Sequence, residues 1–441
     1  MTVAFVDGLK QRLAARLHKG AFLRHVGVLA GGTAIGQATS VLVAPILTRL
    51  YTPADLGLLG VFSAFVLTLG GVAAARYDVA VVAADDEDDA AALTCAAVLA
   101  AIPLTAVICG LAWLLIRQKW MGFGSMPMHI LPFVAVAVFV TAVFAAFRYW
   151  FIRAQIFGTV SKVSVYQGVM RSIVQVALGI VHAGWMGLIA GDVAGRMAGI
   201  GRMSHLAWRS LKERTRSFAI RPIVRVMVRY REFPKINMPS TLIDTVALNL
   251  TIPLIAQVFG AAPAGQFTLV QRLLTLPLGI ISMSVADAFH GRAAAYVRDE
   301  PHQLRRFYLR TARGLFLSGL VPVVLLIVFA PMTVAFIFGS KWEVAGVLVA
   351  LMAPAALAQV TVSPLTRVIL VTRRGMRAKL VLDLINMVMV IGTIVGAGRA
   401  GLGLNAAVGL YSAALTFLYL LYFVIMLKLV EYDDMTLGDP V

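Results

Sequence analysis

At 441 residues, 60% apolar and only 14% charged, with a mean hydropathy of +0.87, the chain excludes a soluble enzyme and describes a polytopic membrane protein. Its net charge of +18 invites a nucleic-acid reading, which the placement of that charge dismisses below. At ~20 residues per span there is room for about twelve spans with short loops and none for a sizeable soluble domain.

Residues 3–23 set Leu9, Leu13 and Leu17 on one side and Arg12, Arg16 and Lys19 around them. This basic amphipathic stretch is expected to lie on the cytoplasmic membrane surface. Its cations interrupt it before the first long apolar run, so it does not read as a cleavable signal. Apolar runs then predict spans at 26–48, 56–75, 91–116, 130–150, 160–181, 184–205, 234–260, 264–290, 312–338, 346–371, 380–397 and 402–427. Residues 1–25 are thus a basic N-terminal segment and 26–205 a first lobe of six spans. A basic connector follows at 206–233, then a second lobe at 234–430 and a tail at 431–441.

Of the Lys and Arg residues, Arg49, Arg117, Lys119, Lys341 and Arg399 fall in one alternate set of turns, and Arg171 and Arg272 fall within spans. All the others occupy the remaining loops and span ends, which places those loops and both termini in the cytoplasm. The connector, with Arg209, Lys212, Arg214, Arg216, Arg221, Arg225, Arg229 and Arg231, suits anionic lipid headgroups better than nucleic acid.

The first span carries Thr33, Gln37 and Ser40 as a polar stripe, either for hydrogen bonds between helices or as a cavity wall. The second ends in Arg76-Tyr77-Asp78, and Asp85-Asp86-Glu87-Asp88-Asp89 follows. That acidic run fits the D-D-x-x-D pattern by which some membrane prenyltransferases hold a magnesium-bound diphosphate. Such enzymes need a second cluster, and the run reads better as acids meeting the dipole of a starting helix. Arg148, at the cytoplasmic end of the fourth span, either anchors the interface or faces inward. The seven His show no ligand spacing and no metal or other cofactor is assigned. Cys95 and Cys109 share one apolar run and imply no disulfide framework.

Charges within spans single out the interior, because each costs about 2.5–3.5 kcal/mol at the middle of a spanning helix unless it faces a partner or a wet cavity. Arg171 lies between Gln167 and Gln175, while Asp192 and Arg196 stand four apart on the next span. Counted from the turn at His182, Arg171 and Asp192 sit within about 3 Å of the same depth and are expected to pair. Gly187, Gly191, Gly195 and Gly199 form a small-residue ridge for close helix contact. In the second half, Arg272 lies ~15 Å inside the Gly260–Gly265 turn and Asp244 ~27 Å from it. Those two are therefore not expected to pair unless the helix breaks at Pro253. Arg272 is expected to stand without a neighbouring carboxylate, in a water-filled cavity that admits an anion.

The halves also echo each other. Pro45 through Tyr51 with Gly57 aligns without a gap on Pro253 through Phe259 with Gly265, and Thr33 falls on Thr241. A proline, an aromatic and a turn glycine in register argue for internal duplication, the usual transporter architecture with the substrate site between repeats.

Phe233-Pro-Lys-Ile-Asn-Met-Pro-Ser240, Gln271-Arg-Leu-Leu-Thr-Leu-Pro-Leu278, Phe338-Gly-Ser-Lys-Trp342 and Ser363-Pro-Leu-Thr-Arg367 accompany Leu47-Thr-Arg-Leu-Tyr-Thr-Pro53 and Arg76-Tyr-Asp-Val-Ala80. This ordered set, spanning nearly the whole chain, resembles bacterial polysaccharide repeat-unit flippases of the Wzx type. These are the O-antigen and exopolysaccharide translocases of the multidrug/oligosaccharidyl-lipid/polysaccharide exporter superfamily. The resemblance implies an all-α membrane protein with twelve helices in two six-helix lobes, V-shaped and working by alternating access. It implies an undecaprenyl-diphosphate-linked oligosaccharide as cargo, flipped across the bacterial inner membrane, with a polysaccharide polymerase and a chain-length regulator as partners. Cargo-facing candidates are Arg272, Asp244, Arg171, Asp192, Arg196, Gln37, Thr33, Arg76 and Arg148. A drug or metabolite exporter of the same superfamily is one rival. A membrane glycosyltransferase, polymerase or ligase is the other, although the longest segment expected on the periplasmic side offers only Arg117, Lys119 and His129.

Overall fold

The computed structural model describes residues 31–214, 220–299, 301–370 and 375–437. The N-terminal basic stretch and part of the Arg373–Arg377 loop lie outside them. The described residues contain helices and no strand. In the first half these are α1 (31–42), α2 (Ala44–Leu50), α3 (Pro53–Gly70), α4 (Tyr77–Ala83), α5 (Glu87–Arg117), α6 (Leu131–Arg153), α7 (Phe157–Ile180) and α8 (Trp185–Met197). Helices α9 (Ile200–Arg214) and α10 (Ile220–Arg229) follow. The second half holds α11 (Met238–Asn249), α12 (Thr251–Phe259), α13 (Ala261–Asp299), α14 (Pro301–Phe338), α15 (Glu343–Val362), α16 (Gly375–Arg399) and α17 (Leu404–Leu437).

Over the described residues each predicted apolar run is mainly helical, although 71–76 form turns. Eight helices among the described residues are long and apolar enough to cross a membrane, or nine if the bent pair through α11 and α12 is one span. Three predicted runs are interrupted, the first of them at Val43. The run at 184–205 divides into α8 and α9, because Ala198 is extended and Gly199 takes a φ of +75°. Gly199 therefore turns the chain, and the ridge proper is Gly187, Gly191 and Gly195. The run at 234–260 bends by 49° between Asn249 and Thr251. Pro253 has no N–H for the carbonyl of Asn249, so the ladder fails where the bend lies.

The duplication is visible in the helices. The first rod of the chain breaks at Val43, two residues before Pro45, and the bend near Pro253 falls at the equivalent place. Next, α3 crosses α13 on repeat-equivalent glycines. A methyl group on Gly57 would meet the carbonyl of Ala261 at 1.9 Å, and one on Gly265 would meet the carbonyl of Pro53 at 1.7 Å. Residues 53 and 57 align on 261 and 265, so each contact is the mirror of the other. That reciprocity is what a pseudo-two-fold axis through the crossing requires.

This end of the bundle is sealed further by the Trp342 indole N–H, which donates to the carbonyl of Thr48 at 3.0 Å. The Gly122 N–H donates to the Gln257 side chain at 3.0 Å. A buried apolar core including Phe62, Phe123, Phe267 and Trp342 runs through both halves. A second, around Phe289, Tyr308, Leu365 and Met426, belongs to the second half alone.

The opposite, basic end is polar. Asp86 caps α5 by accepting from the Asp89 N–H at 2.6 Å, and Glu87, Asp88 and Asp89 occupy the helix's first turn. Arg229 of the connector bridges Asp85 and Asp89, and Arg153 pairs with Glu87 at 3.2 Å. The acidic run is thus a helix start clasped by arginines. Among the described residues no group of His, Cys, Asp and Glu is arranged to hold a metal.

A charged cluster between the two halves

Helices α7 and α8 run antiparallel from the turn at His182 and Gly184, both with positive φ. Close contact is the work of the glycine ridge. A methyl group on Gly191 would strike the Gln175 side chain at 2.4 Å, and one on Gly195 would strike the Arg171 side chain at 2.6 Å. Gln175 donates to the Leu188 carbonyl at 2.9 Å and Gln167 to the Arg196 carbonyl at 3.2 Å. The two glutamines flanking Arg171 therefore pin the backbone of α8.

At this separation Arg171 Nε lies 3.1 Å from Asp192 Oδ1. Arg196, one turn along α8, donates from Nε to Asp192 Oδ2 at 2.7 Å. A second donor of Arg196 reaches the Thr141 hydroxyl on α6 at 3.0 Å, and that hydroxyl donates to the Ala137 carbonyl. Asp192 is buried, whereas the Arg171 side chain keeps 29% of its surface accessible.

Arg272 enters from the other half. Its helix, α13, is packed along α3, and its charge is within Coulombic reach of both Arg171 and Asp192. Asp192, across the interface, is thus within electrostatic range of Arg272, without an ion pair or hydrogen bond between the two. Arg171 is nine residues from the end of α7, Asp192 seven from the start of α8 and Arg272 eleven from the start of α13. At 1.5 Å per residue these depths agree within about 6 Å. The same rise that paired Arg171 with Asp192 would have found the third member, had it been applied between halves.

Three of the predicted residues, Arg171, Asp192 and Arg196, are in contact, and a fourth, Arg272, acts on them electrostatically, a surplus of two positive charges. The other five lie elsewhere. Asp244 is within Coulombic reach of Tyr422 on α17, which donates to Asp383 of α16 at 2.7 Å. Thr33 and Gln37 are exposed on α1, whose Gly32 and Gly36 press against Ser161 and Ser164 of α7. Arg148 is exposed on α6, two turns from Thr141 along the same stripe. Arg76 is at the basic end and bonds Asn237. Sequence reasoning missed Thr141 and Asn237. Thr141 is a lone hydroxyl in an apolar run, and Asn237 is quoted only as part of a motif.

Helices without strands among the described residues, eight or nine of them long and apolar enough to cross a membrane, define a multi-pass membrane protein. The fold is that of solved transporters of the MOP superfamily. It is similar to the lipid II flippase MurJ in an inward closed conformation, with TM-score 0.68 and 12% identity over 94% of this chain and 93% of that one. It is also similar to a multidrug-resistance MATE family transporter of the MOP superfamily. The inward-facing form of that protein gives TM-score 0.63 and 14% identity over 91% and 96%. An outward-facing structure described as a MATE family transporter of the same superfamily gives 0.56 over 93% and 96% at 14% identity. No curated protein sequence matches the chain. The sequence profile of the family described as polysaccharide biosynthesis protein matches residues 46–346, and the chain belongs to that family.

Proposed function

We propose that the protein is a flippase for undecaprenyl-diphosphate-linked oligosaccharide repeat units. It moves them from the cytoplasmic to the periplasmic leaflet of the bacterial inner membrane for O-antigen or exopolysaccharide synthesis. The observation that carries this reading is the pairing of Arg171 and Arg196 with the carboxylate of Asp192, with Arg272 of the other half within electrostatic range of them. A diphosphate is a multiply charged anion, and arginine offers a forked pair of donors to its oxygens. Asp192 neutralises one of the three cations and fixes the rotamers of Arg171 and Arg196. The surplus charge is left for cargo. Because Arg272 belongs to one half and the others to the opposite half, a bound diphosphate ties the two together, and its release lets them part.

In this reading the two lobes are 26–205 and 234–430. The basic end faces the cytoplasm, and the connector at 206–233 rests near anionic lipid headgroups. The sugar chain lies toward exposed polar groups such as Gln37, Thr33 and Arg148. A polymerase and a chain-length regulator receive the product.

The test is transport in proteoliposomes loaded with a lipid-linked oligosaccharide carrying a fluorescent sugar. Cargo that becomes accessible to an impermeant quencher in the opposite leaflet, and fails to do so with Arg272→Ala, supports the reading. Efflux of cationic dyes without movement of lipid-linked sugar would make the protein a drug exporter instead.

A further inference from the structure

The seam between the halves changes character along α3. At the sealed end it is the glycine crossing. Toward the basic end it becomes polar. Thr68 and Thr245 exchange hydroxyl-to-carbonyl contacts at 3.4 to 3.5 Å, and Arg76 Nε donates to Asn237 Oδ1 at 3.1 Å. Asn237 is steadied by the Thr241 hydroxyl at 3.2 Å. Arg76 is presented by an unusual backbone: Ala75 and Arg76 are both left-handed, with φ of 52° and 60°. Such a conformation costs of order 1–3 kcal/mol per residue and persists only where surroundings impose it.

What lies behind Arg76 is a carboxylate with too few partners. Asp78 is 1% exposed, its Oδ1 makes no hydrogen bond, and its Oδ2 is 4.0 Å from Arg76. The other charged groups near α4 are committed or turned away. Arg153 of α6 donates to the carbonyls of Val81, Val82 and Ala84, and Arg148 of α6 is exposed. At and just before the start of α5, Asp85, Glu87 and Asp89 are paired with Arg229 or Arg153, and Asp86 caps the helix. Glu232 and Lys235 beside the turn at Phe233–Asn237 are exposed, as is Asp88. Tyr77 donates to the Met227 carbonyl. Burial pushes the Asp78 carboxyl up, against the pull of Arg76, the one charged side chain acting on it, and of the backbone N–H groups of Val79 and Asp78.

We propose that Asp78 is a proton-binding site that controls a latch between the two halves, formed by Arg76 and Asn237. Ionised Asp78 holds the half-buried guanidinium in place, with Nε aimed at Asn237. Protonation removes the one nearby counter-charge. Arg76 then gains more from water than from a neutral acid, swings out, and the basic end opens. The coupling is reciprocal, since an open latch takes the counter-charge from Asp78 and favours its protonated form. This latch does not depend on what the cargo is.

Spin labels test it. Val82 and Val381 are exposed, one in each half, and can carry labels after Cys95→Ala and Cys109→Ala. Pulsed electron resonance on the full chain in lipid nanodiscs, without cargo, should show a longer-distance population that grows as pH falls. Asp78→Asn should hold that population at every pH. Asn237→Ala should do the same with Asp78 intact, and serves if the Asp78 variant does not accumulate. A wild-type distance that ignores pH overturns the proposal. So does a variant that keeps the short distance or the full pH response.

Discussion

Asp192 gives one carboxylate oxygen to Arg171 on the facing helix and the other to Arg196 on its own. The two arginines are therefore unequal to the aspartate. Loss of Arg171 leaves Asp192 neutralised by Arg196 at 2.7 Å, but loss of Asp192 leaves three cations facing one another in a site enclosed by apolar helices. Breaking a buried pair from its sole-anion side costs roughly 3–5 kcal/mol. Asp192→Asn is expected to lower the amount of inserted protein strongly, and Arg171→Ala to lower it little. Fluorescence-detected size-exclusion chromatography of tagged variants checks this. Equal losses in the two variants would mean that Arg196 does not compensate.

Arg272 is the member of the cluster with no carboxylate on its own half shown against it. Its replacement should spare folding and remove cargo attraction. The Arg272→Ala protein is expected to accumulate normally and to stop export of surface polysaccharide. Arg272→Lys should recover part of it, because an ammonium supplies the charge without the fork. Surface-polysaccharide immunoblots against inserted protein are the measurement. Full export by abundant Arg272→Ala would dissociate this residue from transport.

What the sequence disclosed depended on distance along the chain. The order of the rods was legible because apolar runs of this length leave few alternatives in a bilayer, whereas their ends and breaks were not. The pairing of Arg171 with Asp192 was legible because both are counted from one short turn. Arg272 was found as a charge, but its neighbours were not, since contacts between halves depend on how the repeats cross. The crossing itself was half visible: Gly57 and Gly265 were aligned as equivalents, yet equivalence does not say that the two touch. Nothing in the residues 71–76 announced two successive left-handed positions. Arg76 was therefore grouped with cargo-facing cations when its observed partner is Asn237 across the seam.

The side of the membrane is decided by charge. Lys119 and Lys341 are exposed near the sealed end, while Arg202 and Arg231 are exposed near the basic end. With the basic end in the cytoplasm, single cysteines replacing Lys119 or Lys341 should react with an impermeant thiol reagent on spheroplasts. Those replacing Arg202 or Arg231 should react only in inverted vesicles. Labelling of position 231 from outside would invert the direction of transport proposed here.

The glycine crossing offers the sharpest test of how the halves move. On either helix a single methyl group would lie within 2 Å of a backbone carbonyl on the other, and neither backbone can yield without shifting its whole rod. Overpacking of this kind usually costs about 1–3 kcal/mol. Here the cost falls only on the state in which α3 and α13 touch. The sealed end should therefore be forced apart while each half keeps its own fold. Gly265→Ala is expected to make a cysteine placed at exposed Ala262 react faster with an external thiol reagent, with Gly57→Ala acting the same way through the reciprocal contact. The double variant should add little, because once the rods have separated the second methyl group meets nothing new. Additive destabilisation without faster labelling would show that the crossing is a permanent weld, and the halves would then have to pivot about it.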